Sequence, residues 1–172
     1  ERALKCGIVS QEAYVCPELI TTDEATAVWQ QLQSLAEKGQ VTLFTITTEL
    51  FAKAAYRGQS GGILLVIPFL DHSLSSLTLS DSPLLLVIDG GEKPGNLGAI
   101  LRTADAAGVD AVFVTSRANG GTDIHNPNVV RASLGALFSL PAVEAESETL
   151  LPWLRQKQVQ MAVLTPDEER PY

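Results

Sequence analysis

Apolar and polar positions along the first 70 residues alternate between the periods of helices and strands. Apolar side chains spaced three and four apart predict an amphipathic helix that starts after Thr22 and stops at Gly39. A second, shorter helix is predicted over residues 48–55. Short apolar or β-branched runs bounded by turn residues predict strands, at residues 13–16, 41–46 and 62–67. The predicted order of this part is α-β-α-β-α-β.

The same alternation returns after residue 83. Strands are predicted at 84–88, 111–115 and 160–164 with a short extended piece at 140–143, and helices over 97–107, 127–138 and 148–157. Strands that alternate with helices indicate a parallel sheet with right-handed crossovers. The serine- and threonine-rich residues 71–83 contain no glycine, which is typical of an extended linker. We therefore expect an α/β fold in two parts, residues 1–70 and 84–172.

The most informative stretch for chemistry is residues 94–104, which follow the predicted strand 84–88 and read Pro-Gly-Asn-Leu-Gly-Ala-Ile-Leu-Arg-Thr-Ala. A glycine loop between a strand and a helix is where α/β proteins place polar groups, and the start of a helix favours an anion. Arg102 lies among apolar neighbours and therefore needs a phosphate or carboxylate partner. Asn96 alone would be a turn asparagine bonded to its own backbone, but together with Arg102 it indicates a site.

Two ordered motifs carry a family resemblance. The residues Asn96-x-Gly98-x-x-x-Arg102-Thr103-Ala104 resemble the first signature of the SpoU/TrmH family of RNA ribose 2′-O-methyltransferases, part of the SPOUT superfamily. A second match follows at Asn126-Pro127 and Val130-Arg131-Ala132-Ser133-x-Gly135-Ala136. The first part of the chain is similar to the small α/β/α substrate-binding domain of this family. That likeness rests on four features: Ala3-Leu4, Gly39 with the strand after it, Phe51 and Lys53, and residues 61–64.

The resemblance implies an α/β/α substrate-binding domain followed by an incomplete parallel-sheet SPOUT domain with the α/β knot. It implies methyl transfer from S-adenosylmethionine to a ribose 2′-hydroxyl of structured ribosomal or transfer RNA, by a homodimer. A cytoplasmic location is expected separately, because the two cysteines are typical of reduced thiols. The resemblance assigns Arg102 to activating the ribose hydroxyl, directly or through the adjacent phosphate, and Asn96 to organising the loop. The remaining expected contacts are Gly98, Arg117, Arg131 and Ser133 to RNA and Thr165 to the cofactor.

Two further family signatures are not found in the chain: a glycine-rich turn near a glutamate, and a helix start of the Ser-Leu-Asn-Val-Ser type. We therefore expect an internal piece of a longer enzyme that is inactive by itself. For Arg102, an arginine stays protonated and is a poor base. Elementary chemistry therefore favours electrostatic stabilisation of the developing alkoxide, and the general-base role is only what the resemblance implies.

Charge and composition limit these expectations. The formal net charge is −8, from 12 basic and 20 acidic residues, which argues against non-specific binding to nucleic acid. A local basic site formed by Arg102, Arg117 and Arg131 remains compatible with it. Arg131 and Ser133 lie two apart on the predicted helix 127–138, about 200° around it, so at least one is expected to be structural.

Other kinds of site are disfavoured. The two cysteines and two histidines lack metal-ligand spacing, and no apolar run approaches the ~20 residues of a membrane span, so we expect neither a metal nor a membrane partner. Asp89, Glu92 and Asp105 lack a paired histidine, and Asp89 is expected to end its strand. A nucleotide-binding enzyme is disfavoured because no Gly-x-Gly-x-x-Gly or phosphate-binding loop occurs. The alternative to the methyltransferase is a non-catalytic RNA-binding or assembly module.

Overall fold

A computed structural model describes residues 1–55, 61–90, 93–115 and 123–164. In these ranges the chain forms two three-stranded sheets. The predicted linker residues 71–83 lie between the last strand of the first sheet and the first strand of the second. None of the helices found in the described ranges is long and apolar enough to cross a membrane.

The first sheet has β1 (Glu12–Val15) at its centre. This strand runs parallel to β2 (Thr42–Thr45) and antiparallel to β3 (Ile63–Val66). The helices are α1 (Arg2–Lys5), α2 (Asp23–Glu37) and α3 (Thr48–Ala54), so the predicted order α-β-α-β-α-β is confirmed.

The capping residues of α2 act as the sequence predicts. The backbone N–H of Ala25 donates to Oγ1 of Thr22 at 3.1 Å, which satisfies one of the free donors at the helix start. Beyond the other end, Gly39 takes a φ of +68°, a conformation that glycine adopts without strain.

The second sheet is parallel throughout, as predicted. Its order is β4-β5-β6, formed by β4 (Leu85–Asp89), β5 (Ala111–Thr115) and β6 (Ala142–Ala145). The helices of this part are α4 (Pro94–Ala106), α5 (Pro127–Ala132) and α6 (Ser147–Gln156).

Both faces of the second sheet are covered. Val112 and Val114 of β5 pack with α4 and α5, whereas Phe113 packs on the opposite face with α6. Three leucines of the predicted linker, Leu74, Leu77 and Leu79, also pack with Phe113 and α6 on this face. The linker is therefore partly a cover for the sheet.

Two predicted helix boundaries and one predicted strand are wrong. Helix α4 begins at Pro94 and not at residue 97, because proline at the first helical position needs no hydrogen bond for its nitrogen. Helix α5 ends at Ala132 and not at residue 138, because Leu134 and Gly135 take φ values of +49° and +88°. Residues 160–164 form no strand, and Val163 and Leu164 are exposed. A strand needs a hydrogen-bonded partner, and none pairs with this segment within the described residues.

Candidate functional site

The carboxyl ends of β4 and β5 are joined by side chains. The hydroxyl of Thr115 donates to Oδ1 of Asp89 at 2.7 Å, and the backbone N–H of Gly90 donates to the carbonyl of Thr115 at 3.3 Å. Asp89 is the last residue of β4, as predicted. Helix α4 starts at this end of the sheet, five positions after Asp89.

Helix α4 separates a buried face from an exposed one. Leu97, Leu101 and Ala104 are buried against the sheet, and Arg102 is exposed. The side of the helix that carries Arg102 faces solvent, so its side chain is accessible to the phosphate or carboxylate partner that the sequence predicts. Within the described residues, its guanidinium has no hydrogen-bond or ion-pair partner.

Arg102 also lies further along the helix than the sequence suggested. Because α4 begins at Pro94, Arg102 is eight residues inside, about 12 Å from the helix start. Asn96 is in the first turn, and the spacing of six positions from Asn96 to Arg102 places the two about 120° apart around the helix. The structure thus does not bring Asn96 and Arg102 onto one face.

A glycine shares the face of Arg102. Gly95 lies seven residues earlier, two turns away, and is also exposed. Outside its own helix turn and chain neighbours, no described atom comes within 4 Å of the position that a Cβ at Gly95 would take. The strip from Gly95 to Arg102 is therefore open, so a ligand can approach the helix backbone closely.

Gly98 has a packing role that its assignment to RNA did not anticipate. It is buried where α4 crosses α5, and a Cβ there would collide with Ala132 and lie 2.9 Å from the backbone nitrogen of Ser133. In this structure the residue faces a helix, and its predicted contact with RNA stays a prediction. A glycine among the apolar positions of a helix lowers helix stability by ~1 kcal/mol relative to alanine. Its presence in the sequence at such a position therefore indicates close packing.

At the end of helix α5, Arg131 and Ser133 lie in different environments. Arg131 is exposed and, among the described residues, unpaired. Ser133 is fully buried, and its hydroxyl donates to the carbonyl of Val130 at 2.7 Å. Ser133 is therefore the structural member of the pair in this structure, and its expected contact with RNA stays a prediction. Asn126 caps the helix as predicted, accepting from the N–H of Asn128 at 2.9 Å.

Two exposed arginines thus flank one helix contact. The Gly98–Ala132 contact lies one turn before Arg102 along α4 and one residue after Arg131 along α5. Two such cations are well suited to phosphate oxygens. Arg117 and Thr165 lie outside the described residues, so their predicted roles are not placed.

In a parallel sheet the expected cofactor would lie at the carboxyl ends of the strands, here those of β4 to β6. Thr115, the polar side chain at the end of the central strand, is 2% exposed and already donates to Asp89. We therefore assign none of the described residues to S-adenosylmethionine. The same ranges contain no group of three or more histidine, cysteine or acidic side chains that could hold a metal ion.

The arrangement is that of the SPOUT methyltransferases. A solved RNA 2′-O ribose methyltransferase matches with a TM-score of 0.69 at 32% identity, over 98% of this chain and 60% of the other. The SpoU methyltransferase AviRb from Streptomyces viridochromogenes, in complex with AdoMet, matches with a TM-score of 0.73 at 22% identity, over 91% and 56%. This second likeness supports the fold.

The family model of the SpoU rRNA Methylase family matches residues 83–172, more than half of the chain. The chain belongs to this family. The 23S rRNA (uridine(2479)-2′-O)-methyltransferase of Streptomyces viridochromogenes is 28% identical over 141 residues, 77% of this chain and 48% of that protein. The human mitochondrial rRNA methyltransferase 3 is 42% identical over 86 residues, 49% of this chain and 18% of that protein. The chain thus spans about half or less of these curated relatives.

Proposed function

We propose that the protein takes part in S-adenosylmethionine-dependent 2′-O-methylation of ribose in ribosomal or transfer RNA. The observation that carries the proposal is the exposed, unpaired Arg102 within the described part of α4, inside the region that matches the family. The names of the relatives are those of rRNA methyltransferases. They do not favour the alternative of a non-catalytic RNA-binding module.

Arg102 would act on the nucleophile. A ribose hydroxyl must lose its proton, here to solvent water, as its oxygen takes the methyl carbon from sulfur, which keeps the electrons of the broken carbon–sulfur bond. Negative charge develops on the ribose oxygen during this step. A permanently protonated guanidinium stabilises this charge and can hold the neighbouring phosphate with two parallel hydrogen bonds. S-adenosylmethionine, when bound, supplies an electrophilic methyl group. Thr165 stays the candidate for a cofactor contact.

RNA would be held by a local cluster of positive charge on an acidic protein. Arg131 is exposed beside the helix contact that supports Arg102, and Arg117 is the third candidate. Because phosphate contacts dominate such binding, we expect affinity to fall with salt in proportion to the number of arginines engaged. Gly98 and Ser133 are buried beneath this surface, where they pack α4 against α5.

The homodimer that the family resemblance implies and the cytoplasmic location expected from the cysteines also belong to this proposal. The open edge of the second sheet is compatible with self-association, because Leu84 and Val87 are 54% and 41% exposed. We further propose that residues 1–70 serve as the RNA-binding domain and residues 84–172 as part of the methyltransferase domain, with 71–83 joining them.

The test is replacement of Arg102 by alanine in the full-length protein, with single-turnover methylation of RNA as the readout. Loss of a preorganised charge in the transition state lowers the rate roughly a hundred- to a thousand-fold. Arg102→Lys should also fail, because a point charge does not reproduce the planar fork.

The matched control is Arg155→Ala, which removes an exposed arginine from α6, on the opposite face of the sheet. It should stay within a few-fold of the unmodified protein. If Arg102→Ala methylates as fast as this control, or if it unfolds the protein, the assignment of Arg102 fails.

A further inference from the structure

The first helix reaches across to α4 through one arginine. Nη2 of Arg2 donates to Oδ2 of Asp105 at 2.5 Å and to Oγ of Ser139 at 3.0 Å. The Ser139 hydroxyl contacts the other carboxylate oxygen, Oδ1 of Asp105, at 2.8 Å. Both oxygens of Asp105 therefore have a donor, one from each partner.

A glycine makes room for this contact. Gly135 takes a φ of +88°, and a Cβ at that position would lie 2.8 Å from Cδ and 2.9 Å from Cβ of Arg2. The aliphatic stem of Arg2 thus lies directly against the backbone that leads to Ser139. Only 23% of the Asp105 side chain is exposed, compared with 44% for Arg2. The hydrogen bond from Ser139 and the charge of Arg2 hold the pKa of Asp105 below its ordinary value, so the carboxylate stays ionised.

Asp105 is also a neighbour of Arg102 along α4. The two are three residues apart, and opposite charges at this spacing on a helix attract each other. The described Arg102 nevertheless has no ion-pair partner, while Asp105 pairs with a residue 103 positions away. The carboxylate closest to Arg102 in sequence is therefore engaged elsewhere.

We propose that Arg2 is a positioning residue for Arg102: by engaging Asp105 it keeps the guanidinium of Arg102 available for an RNA phosphate. The inference rests on the proposed function for the role of Arg102. Without Arg2, Asp105 turns to Arg102 and competes with the phosphate for it. Arg2, in the first part of the chain, thereby determines how accessible the charge of Arg102 in the second part is to RNA.

The experiment compares Arg2→Ala, Asp105→Asn and the double variant in the full-length protein. Helical ion pairs are weak, so Arg2→Ala should raise KM for RNA roughly two- to fivefold at low salt, with less effect at high salt. Asp105→Asn should leave methylation close to that of the unmodified protein, and adding it to Arg2→Ala should restore KM. If the ion pair were only structural, Asp105→Asn would be as harmful as Arg2→Ala and the double variant would gain nothing. That result overturns the proposal.

A second readout does not depend on activity. The ¹⁵N NMR signal of the Arg102 Nε–Hε group, without RNA, should shift in Arg2→Ala and return in the double variant. An unchanged signal overturns the inference even if Arg102 is essential. A shift that returns supports it even if Arg102→Ala remains active, which would refute the proposed function alone. If Arg2→Ala does not fold, Arg2→Met, which keeps an aliphatic stem against Gly135 but has neither charge nor donor, takes its place with the same expected directions.

Discussion

Gly98 of α4 lies so close to Ala132 of α5 that no side chain fits between the two helices. A Cβ at Gly98 would lie 2.8 Å from the carbonyl carbon of Ala132 and would overlap its Cβ. Backbone atoms of α5 cannot rotate away as a flexible side chain would. The position of α5, and with it that of Arg131, therefore depends on the absence of a side chain at residue 98.

Gly98→Ala should therefore destabilise the protein, because the added methyl group forces the helices apart. Overpacking of this kind costs ~1–3 kcal/mol in the free energy of unfolding. Urea denaturation followed by circular dichroism measures it. The matched control is Gly95→Ala in the same helix, where, outside the local helix turn, no atom of the described part of the chain lies within 4 Å of the new Cβ. That change should be neutral or stabilising by about 0.4–1 kcal/mol, and equal effects at both positions would contradict the packing role of Gly98.

The comparison of these two glycines shows what the sequence could and could not reveal. The order of helices and strands was predictable because apolar periodicity records which side of each element is buried. Gly95 and Gly98 are identical letters three residues apart, and only the position of α5 distinguishes them. Because the two glycines are typical of a loop, the sequence predicts a helix start at residue 97, whereas α4 begins at Pro94.

The candidate site was predicted in part. Arg102 and Arg131 are exposed, as binding residues need to be, but Ser133 from the same motif is buried. A motif records that a residue matters and not whether it touches the ligand. The pairing of Arg2 with Asp105 joins residues 103 positions apart, and no local pattern predicts such a contact.

Stability should depend on pH through Asp105. Its pKa is lowered in the folded protein, first by the hydrogen bond from Ser139 and then by Arg2, relative to an ordinary value of 3.8. A group with a lowered pKa in the folded state stabilises the fold above its unfolded pKa and loses that contribution as the pH falls through the folded value. The difference in unfolding free energy between the unmodified protein and Asp105→Asn should thus be largest near neutral pH and shrink below about pH 4. Urea titrations at several pH values test this, and a difference that is constant or grows on acidification would contradict it.

The two cysteines should differ strongly in reactivity. Cys6 is exposed, whereas Cys16 is fully buried. Burial, followed by the neighbouring Glu18 carboxylate 3.1 Å from the sulfur, raises the pKa of the Cys16 thiol. Because the thiolate is the reactive form, a disulfide reagent at pH 8 should modify Cys6 quickly and Cys16 only after unfolding. Cys6→Ser is the control, since it should abolish the fast phase, and a fast phase that persists in this variant would show that Cys16 is accessible.

Among the described residues β4 pairs on one side only, and its open edge should drive self-association. Val87 lies on the edge strand β4 and is 41% exposed, and unpaired strand edges with apolar side chains recruit other chains. Val87→Lys places a charge on this edge and should shift the protein toward the monomer in analytical ultracentrifugation. The matched control is Leu151→Lys, which removes an apolar side chain of 42% exposure from α6, away from a strand edge. This control should leave the association constant unchanged, because a helix surface offers no hydrogen-bonding ladder. If both variants dissociate equally, general surface hydrophobicity drives association, and if neither does, β4 is not the contact.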